Sequence, residues 1–223
     1  MKQIPLAIGF ESDQRFDTFV VGANGMALAH LQALHAASAP VYLWGASGAG
    51  KTHLLHALAR RFQDQGGHVG WFSAADPAPW PLDEGRALIV FDDCDRLDPD
   101  QQQAAFALFV DATARGIPVA AAGRVPPVDL PLRDDLRSRL GWGHVLAIQP
   151  LSEAESRAAL RREADRRGLF LSDEVMDYLL TRFSRDLKHL MLLLDRLDEF
   201  ALANKRAVTV PLLKQMIEEE KRA

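Results

Sequence analysis

Cysteine is almost missing from this chain: among 223 residues there is only Cys94. A single thiol excludes an intramolecular disulfide framework and suits a reducing, cytoplasmic setting. Long apolar runs are missing too. None reaches the roughly 18 residues a membrane-spanning helix needs. The opening MKQIPLAIGFESD carries one basic residue and a short apolar patch soon met by acids, so it lacks the form of a secretory signal. There is no surplus of positive charge either. The formal net charge of −4 counts against a broad nucleic-acid surface and strong direct DNA binding, leaving room for a local basic patch at most. No His/Cys cluster has zinc spacing, so His53 and His56 read as packed or surface residues rather than metal ligands. Internal repeats and low-complexity tracts are also missing.

What is present is the balance of a globular protein, 48% hydrophobic and 25% charged. Apolar runs alternate with helical patterns, which predicts an α/β fold with a parallel sheet. Strands are expected near Val41–Trp44, His68–Ser73, Ala87–Phe91, Ile117–Ala122 and His144–Ile148, several of them covered on both faces. Helices are expected at about Met26–Ala37, Lys51–Gln65, Pro99–Arg115 and Arg133–Leu140. Asp98, Pro99 and Gln101 form a helix start, and Gly116 a stop. After Pro150 the strand signals end. Ser152 and Glu155 make a capping box for a helix that Gly168 closes, Ser172 caps another, and two more follow, from about Arg185 to Asn204 and from Pro211. The expected division is a core over 11–150 and an all-α unit over 151–223.

The sharpest chemical signal is Gly45-Ala46-Ser47-Gly48-Ala49-Gly50-Lys51-Thr52, a complete G-x-x-x-x-G-K-[ST] motif between a strand and a helix. Glycines let backbone N–H groups curl around phosphates, and the helix start adds its positive dipole end. Lys51 is expected on the β- and γ-phosphates, and Thr52 on Mg²⁺. His53 completes this run of candidate nucleotide-site residues. The second signal is the apolar strand ending in Asp92-Asp93, which puts carboxylates at the sheet edge where open α/β sheets bind ligands. Asp92 is the candidate for Mg²⁺ and Asp93 for the attacking water.

The remaining pattern resembles the replication-initiator branch of AAA+ proteins, the DnaA family. The resemblance lies in Phe16-Asp-Thr-Phe19-Val20-Val-Gly22-Ala-Asn24, in Leu136-Arg-Ser138-Arg139-Leu-Gly141-Trp142-Gly143 and in the terminal helices. It implies an AAA+ P-loop core with a five-stranded parallel sheet and a helical lid, binding ADP or ATP with Mg²⁺. Phe19 and Val20 are implied to lie near the adenine. Arg139 is implied to be the arginine finger, and Lys188 to stand where the family carries a lid arginine, with Arg185 as a rival. Initiators also carry a helical insertion between the second and third strands that grips single-stranded DNA, and a helix-turn-helix domain after the lid. Here Ala74–Gly85 with three prolines leaves no room for the insertion, and the sequence in hand ends at Ala223.

That combination resembles the DnaA-homologous regulators that inactivate the initiator. The resemblance then implies DnaA and the polymerase sliding clamp as partners, a replisome-associated location, and a clamp-binding peptide at residues 1–10, carried by Gln3, Ile4, Leu6 and Ile8. It also leaves room for a homodimer. In the sensor strand, Val119–Arg124 lacks the usual polar acceptor, which points to at most weak intrinsic ATPase activity. A self-sufficient AAA+ ATPase that loads or remodels a replication protein is the competing reading. A small P-loop kinase is disfavoured by the box around Arg139 and by the lid. Trp71, Trp80 and Trp142 read as core or interface residues rather than platforms for bases.

Overall fold

In the computed structural model, residues 14–81, 83, 85–183 and 187–220 are described. They form two compact units, the first from the residues up to Ala46 with Gly50–Ile148, the second from Ser47–Ala49 with the residues from Gln149 onward. Gln3, Ile4, Leu6, Ile8 and Arg185 lie outside the described residues.

The first unit is a five-stranded parallel sheet with helices. Its strands are β1 (Val41–Trp44), β2 (His68–Phe72), β3 (Arg86–Phe91), β4 (Val119–Gly123) and β5 (His144–Ala147), in the order β2-β3-β4-β1-β5. Parallel neighbours need crossovers, and these supply α2 (Lys51–Asp64), α3 (Pro99–Ala114) and α4 (Asp134–Leu140); α1 (Gly25–Ala33) precedes β1. β4 is buried along its whole length and almost entirely small, Val-Ala-Ala-Ala-Gly. Its last residue has to be small: a Cβ on Gly123 would collide with the Tyr42 hydroxyl, which donates to the Val125 carbonyl at 3.0 Å. Ile89, Phe91, Leu108, Phe109, Leu130 and Leu136 fill the core with Tyr42 and Trp80.

β5 is an edge strand and largely exposed. α1 ends at Ala33 rather than Ala37, because Leu34 is extended and Ala37 is left-handed at φ 61°. Arg61 donates to the carbonyls of Gln32 and Leu34 there, giving the helix end a tertiary cap that its own sequence does not announce. Trp142 is 63% exposed, outside any core. Trp80, in contrast, is buried on Phe72 and Phe91, and Trp71 stacks on His56 with centroids 4.0 Å apart.

Local capping explains the helix starts that the sequence announced. Asp98 and Gln101 form a reciprocal capping box on α3, with Pro99 in the first turn. Between β2 and β3 the described residues hold turns and no helix.

The second unit contains α5 (Glu153–Arg166), α6 (Asp173–Arg182), α7 (Leu187–Asn204) and α8 (Val210–Glu220). Ser152 and Glu155 box the start of α5, and Ser172 caps α6. α8 begins at Val210, one residue before Pro211, with the Thr209 hydroxyl accepting from the Leu212 N–H at 3.4 Å. The unit has its own core, built from Leu160, Met176, Leu179, Leu190, Leu194 and Leu212 among others. On α7, Leu193 and Leu197 are buried with Leu190 and Leu194, whereas Met191 is only partly covered. No helix among the described residues is long and apolar enough to cross a membrane.

Candidate nucleotide site and the family it belongs to

The site grows out of the C-terminal ends of β1, β3 and β4. β1 runs directly into Gly45, whose φ of 155° and tight approach to Ile148 leave no space: a Cβ would collide with the Ile148 carbonyl oxygen. At the other end of the loop Gly50 is left-handed, with φ 100°, and a Cβ there would lie 2.8 Å from the Phe19 ring. At Gly45 and at Gly50 the loop therefore admits backbone and excludes a side chain. α2 opens straight from it at Lys51, so the first N–H groups of a 14-residue helix are directed to the loop.

Lys51 is only 8% exposed, and its ammonium donates to the carbonyls of Gly45 at 2.8 Å and Ala46 at 2.9 Å. Burial pushes its pKa down, while Asp92, Asp93 and Asp95 push it back up. A cation held against neutral carbonyls, with carboxylates nearby but none bonded to it, keeps its charge for an anion. Thr52 donates its hydroxyl to Asp92 Oδ2 at 2.8 Å, and the Asp93 N–H donates to Asp92 Oδ1 at 2.9 Å. Desolvation raises the pKa of Asp92, and those two hydrogen bonds oppose the rise. A hydroxyl beside a carboxylate is a pair of hard oxygen donors, which fits Mg²⁺, a cation that keeps several of its waters. Among the described residues no group of three His, Cys, Asp or Glu side chains has metal-holding geometry. Phosphate oxygens and water would have to complete the shell.

Asp93 is placed differently from its neighbour. Its backbone is left-handed at φ 51°, and its carboxylate is half-exposed, 3.9 Å from Arg96. Sequence reasoning missed a third acid, Asp95. Its side chain is 5% exposed and accepts from the Arg124 backbone N–H at 3.0 Å and from Arg124 Nε at 2.5 Å. Gly123 pairs with Trp44 in the β1–β4 register, so Arg124 follows β4 where Gly45 follows β1. The available signal was the spacing Asp92-Asp93-Cys94-Asp95 together with a basic residue at the end of the neighbouring strand.

The segment before α1 closes another side of the loop. Phe19 is buried, packs on Gly50 and meets the His53 ring edge-on at 5.4 Å, and Val20 is half-buried. His53 Nε2 lies 2.9 Å from the Arg15 carbonyl oxygen, which makes that nitrogen the proton carrier. Burial lowers the His53 pKa and the bond to Arg15 opposes this, so the ring is neutral at pH 7. Gly45, Ala46, Gly50, Lys51, Thr52, Asp92, Phe19 and His53 thus come together in the first unit, whereas Ser47–Ala49 group with the second. Lys188 lies exposed on α7 in the helical unit. Arg139 is exposed in the last turn of α4, its guanidinium carbon 5.8 Å from the centre of the Trp142 ring.

Comparison with known proteins gives the relationship. The family model described as the bacterial DnaA ATPase domain matches residues 10–70, and the one described as the Hda lid domain matches residues 153–217. Among solved structures, domain III of the Thermotoga maritima replication initiation protein DnaA is similar at a TM-score of 0.76 and 20% identity. That match covers 93% of this chain and 97% of that one. AMPPCP-bound DnaA from Aquifex aeolicus is similar at 0.73 and 21% identity, over 96% of this chain and 71% of that one. The Thermotoga maritima RuvB Holliday junction branch migration motor is more distant, at 0.58 and 20% identity over 80% and 60%. These likenesses show the fold: a P-loop α/β core of the AAA+ type and a helical lid. With the two family models falling on the core and on the helical unit in turn, the chain belongs to the Hda/DnaA-like AAA+ proteins.

Proposed function

We propose that this protein is a nucleotide-bound regulator that, with the DNA-loaded sliding clamp, stimulates ATP hydrolysis by the initiator DnaA and so prevents over-initiation. The observation that carries this reading is the match of residues 153–217 to the Hda lid domain on a chain whose residues 10–70 match the DnaA ATPase domain. Similarity to DnaA bound to AMPPCP supports an adenine nucleotide, ADP or ATP, as the ligand. Bound nucleotide supplies a chain of phosphate charge. Lys51 and the loop N–H groups would hold that charge, Thr52 and Asp92 would hold Mg²⁺, and Phe19, Val20 and His53 would line the base side. Lys188 is the candidate contact from the lid.

The activity in trans is assigned to Arg139. A guanidinium delivered to a neighbour's γ-phosphate stabilises the charge that spreads over it during transfer, and such fingers are worth on the order of a thousandfold or more in rate. The chain's own turnover is proposed to be slow. At the end of β4 stands Arg124, tied to Asp95, where a polar acceptor would help position water. Asp93 remains the candidate for that water. Gln3, Ile4, Leu6 and Ile8 are proposed to dock an extended strand in the clamp's apolar groove. A cytoplasmic location at the replisome follows from those partners, and a homodimer is compatible with them.

The test is ATP hydrolysis by purified DnaA with this protein, nucleotide and DNA-loaded clamp, comparing wild type with Arg139→Ala and Gln3→Ala. Stimulation that requires the clamp and collapses in both variants is expected. No stimulation, beside robust hydrolysis by this protein alone, would replace this reading with that of a self-sufficient AAA+ ATPase.

A further inference from the structure

We propose that Trp142 is a positioning residue for Arg139: its exposed indole face holds the guanidinium in place while leaving the N–H donors free for a partner's phosphate. This rests on the function proposed above and adds a second residue to its interaction surface.

The neighbouring arginines provide the contrast. Arg137 pairs with Asp134 at 2.6 Å and Arg133 with Asp135 at 2.7 Å. Among the described residues Arg139 has no carboxylate partner; what it meets is Trp142. The two kinds of partner do different things to an arginine. A carboxylate occupies the in-plane fork and neutralises the charge. An aromatic face attracts the cation through the ring quadrupole, from above or below the plane, and leaves the fork open. A residue that has to present both charge and donors to an incoming phosphate needs the second kind.

The chain goes to some length to keep that ring outside. Trp142 is 63% exposed, although indole is among the side chains with most to gain from burial. It sits in a turn fixed on both sides. The Gly141 N–H donates to the Arg137 carbonyl at 3.1 Å, and the Trp142 N–H donates to the Arg139 carbonyl at 3.2 Å. On the far side Gly143 is pressed against Pro40: a Cβ would collide with the Pro40 carbonyl oxygen, which also accepts from the His144 N–H at 2.8 Å. With both flanks held, the intervening side chain is directed outward, beside the last turn of α4. The Trp-Gly pair therefore works as one device, glycine for the close approach and tryptophan for the platform.

The test has two readouts. In solution NMR of the free protein, the Arg139 side-chain protons should be displaced upfield by the Trp142 ring current and should return in Trp142→Ala. In the DnaA hydrolysis assay, Trp142→Ala should lower the maximal stimulated rate roughly tenfold, since a small misplacement of a catalytic group is costly in rate. The concentration giving half-stimulation should change much less, whereas loss of a mere docking contact would raise it. Trp142→Phe should retain most of the rate, and Arg139→Ala/Trp142→Ala should be no worse than Arg139→Ala. Thermal melts of Trp142→Ala should match wild type, because an exposed ring leaves no cavity. An undisplaced Arg139 resonance, an unaltered maximal rate in Trp142→Ala, or a double variant much worse than Arg139→Ala would overturn the proposal while leaving the proposed function standing. If wild type itself fails to stimulate, the proposed function falls and takes this inference with it.

Discussion

Two cations in the core, Lys51 and Arg139, are held in opposite ways. Lys51 is buried, and both carbonyls that hold it belong to its own loop. Arg139 is exposed, and an aromatic face is what it meets. The first arrangement accepts desolvation in advance, so that a ligand enclosed by the loop finds a fixed charge that needs little reorganisation. The second leaves the charge hydrated and steers only its direction, which suits something arriving from outside. The difference between a charge prepared for an enclosed ligand and one prepared for an external ligand is thus visible in the kind of partner each has before anything binds.

The comparison is broken most severely at Lys51. Lys51→Ala is expected to weaken ADP and ATP binding on the order of a hundredfold, as loss of one member of a buried charge-assisted contact usually does. The ligand-free protein should lose little stability, because a desolvated ammonium has been removed from a site where no carboxylate bonds to it. Isothermal titration and thermal melts measure the two quantities. A large fall in ligand-free stability would mean that Lys51 holds the fold together rather than waiting for phosphate.

The other half of the comparison is sharpened at Gly143. Gly143→Ala forces a methyl group against the Pro40 carbonyl. We expect a loss of about 2 kcal/mol in chemical denaturation, within the range for overpacking. Nucleotide affinity should stay near wild type, because Gly143 lies outside Gly45–Thr52. An unchanged denaturation midpoint would show that the turn yields easily and that its frame does not direct Trp142.

These two regions also differ in how legible they were. Gly45–Thr52 could be read directly, because phosphate-loop chemistry is carried by consecutive residues whose strand and helix flanks are themselves periodic. The boxes Asp98/Gln101 and Ser152/Glu155 could be read for the same reason: a capping box is closed within four residues. What escaped were contacts between distant segments. Asp95 and Arg124 are 29 positions apart and meet only because β3 and β4 are neighbours. The early end of α1 depends on Arg61, from α2. The exposure of Trp142 depends on Pro40, and composition alone would place a tryptophan inside. The peptide around Gln3–Ile8 lies outside the described residues, so its reading still rests on sequence.

The smallest expected effect concerns the helical unit, where Arg166 and Arg167 are neutralised in place rather than kept available. Glu163 takes two hydrogen bonds from Arg166, at 2.6 and 2.9 Å, and one from Arg167 at 2.7 Å; Arg167 also reaches Asp195 on α7. The bonds from Arg166, followed by those from Arg167, hold the Glu163 carboxyl down at about 2 against the opposing cost of burial. A carboxyl whose pKa is lower folded than unfolded stabilises the fold above its ordinary value and loses that contribution as pH falls through the folded one. The window therefore runs from about pH 4.5 down to about pH 2. Solvent screens this cluster, so Glu163→Gln should cost only about 1 kcal/mol at pH 7. The gap between variant and wild type should close as the pH is lowered through that window, in paired melts at pH 7, 4 and 2.5. A gap that stayed constant would assign the contribution to packing of the side chain. The helical unit would then join the phosphate loop in being held by shape rather than by the opposed charges that set it apart from Arg139.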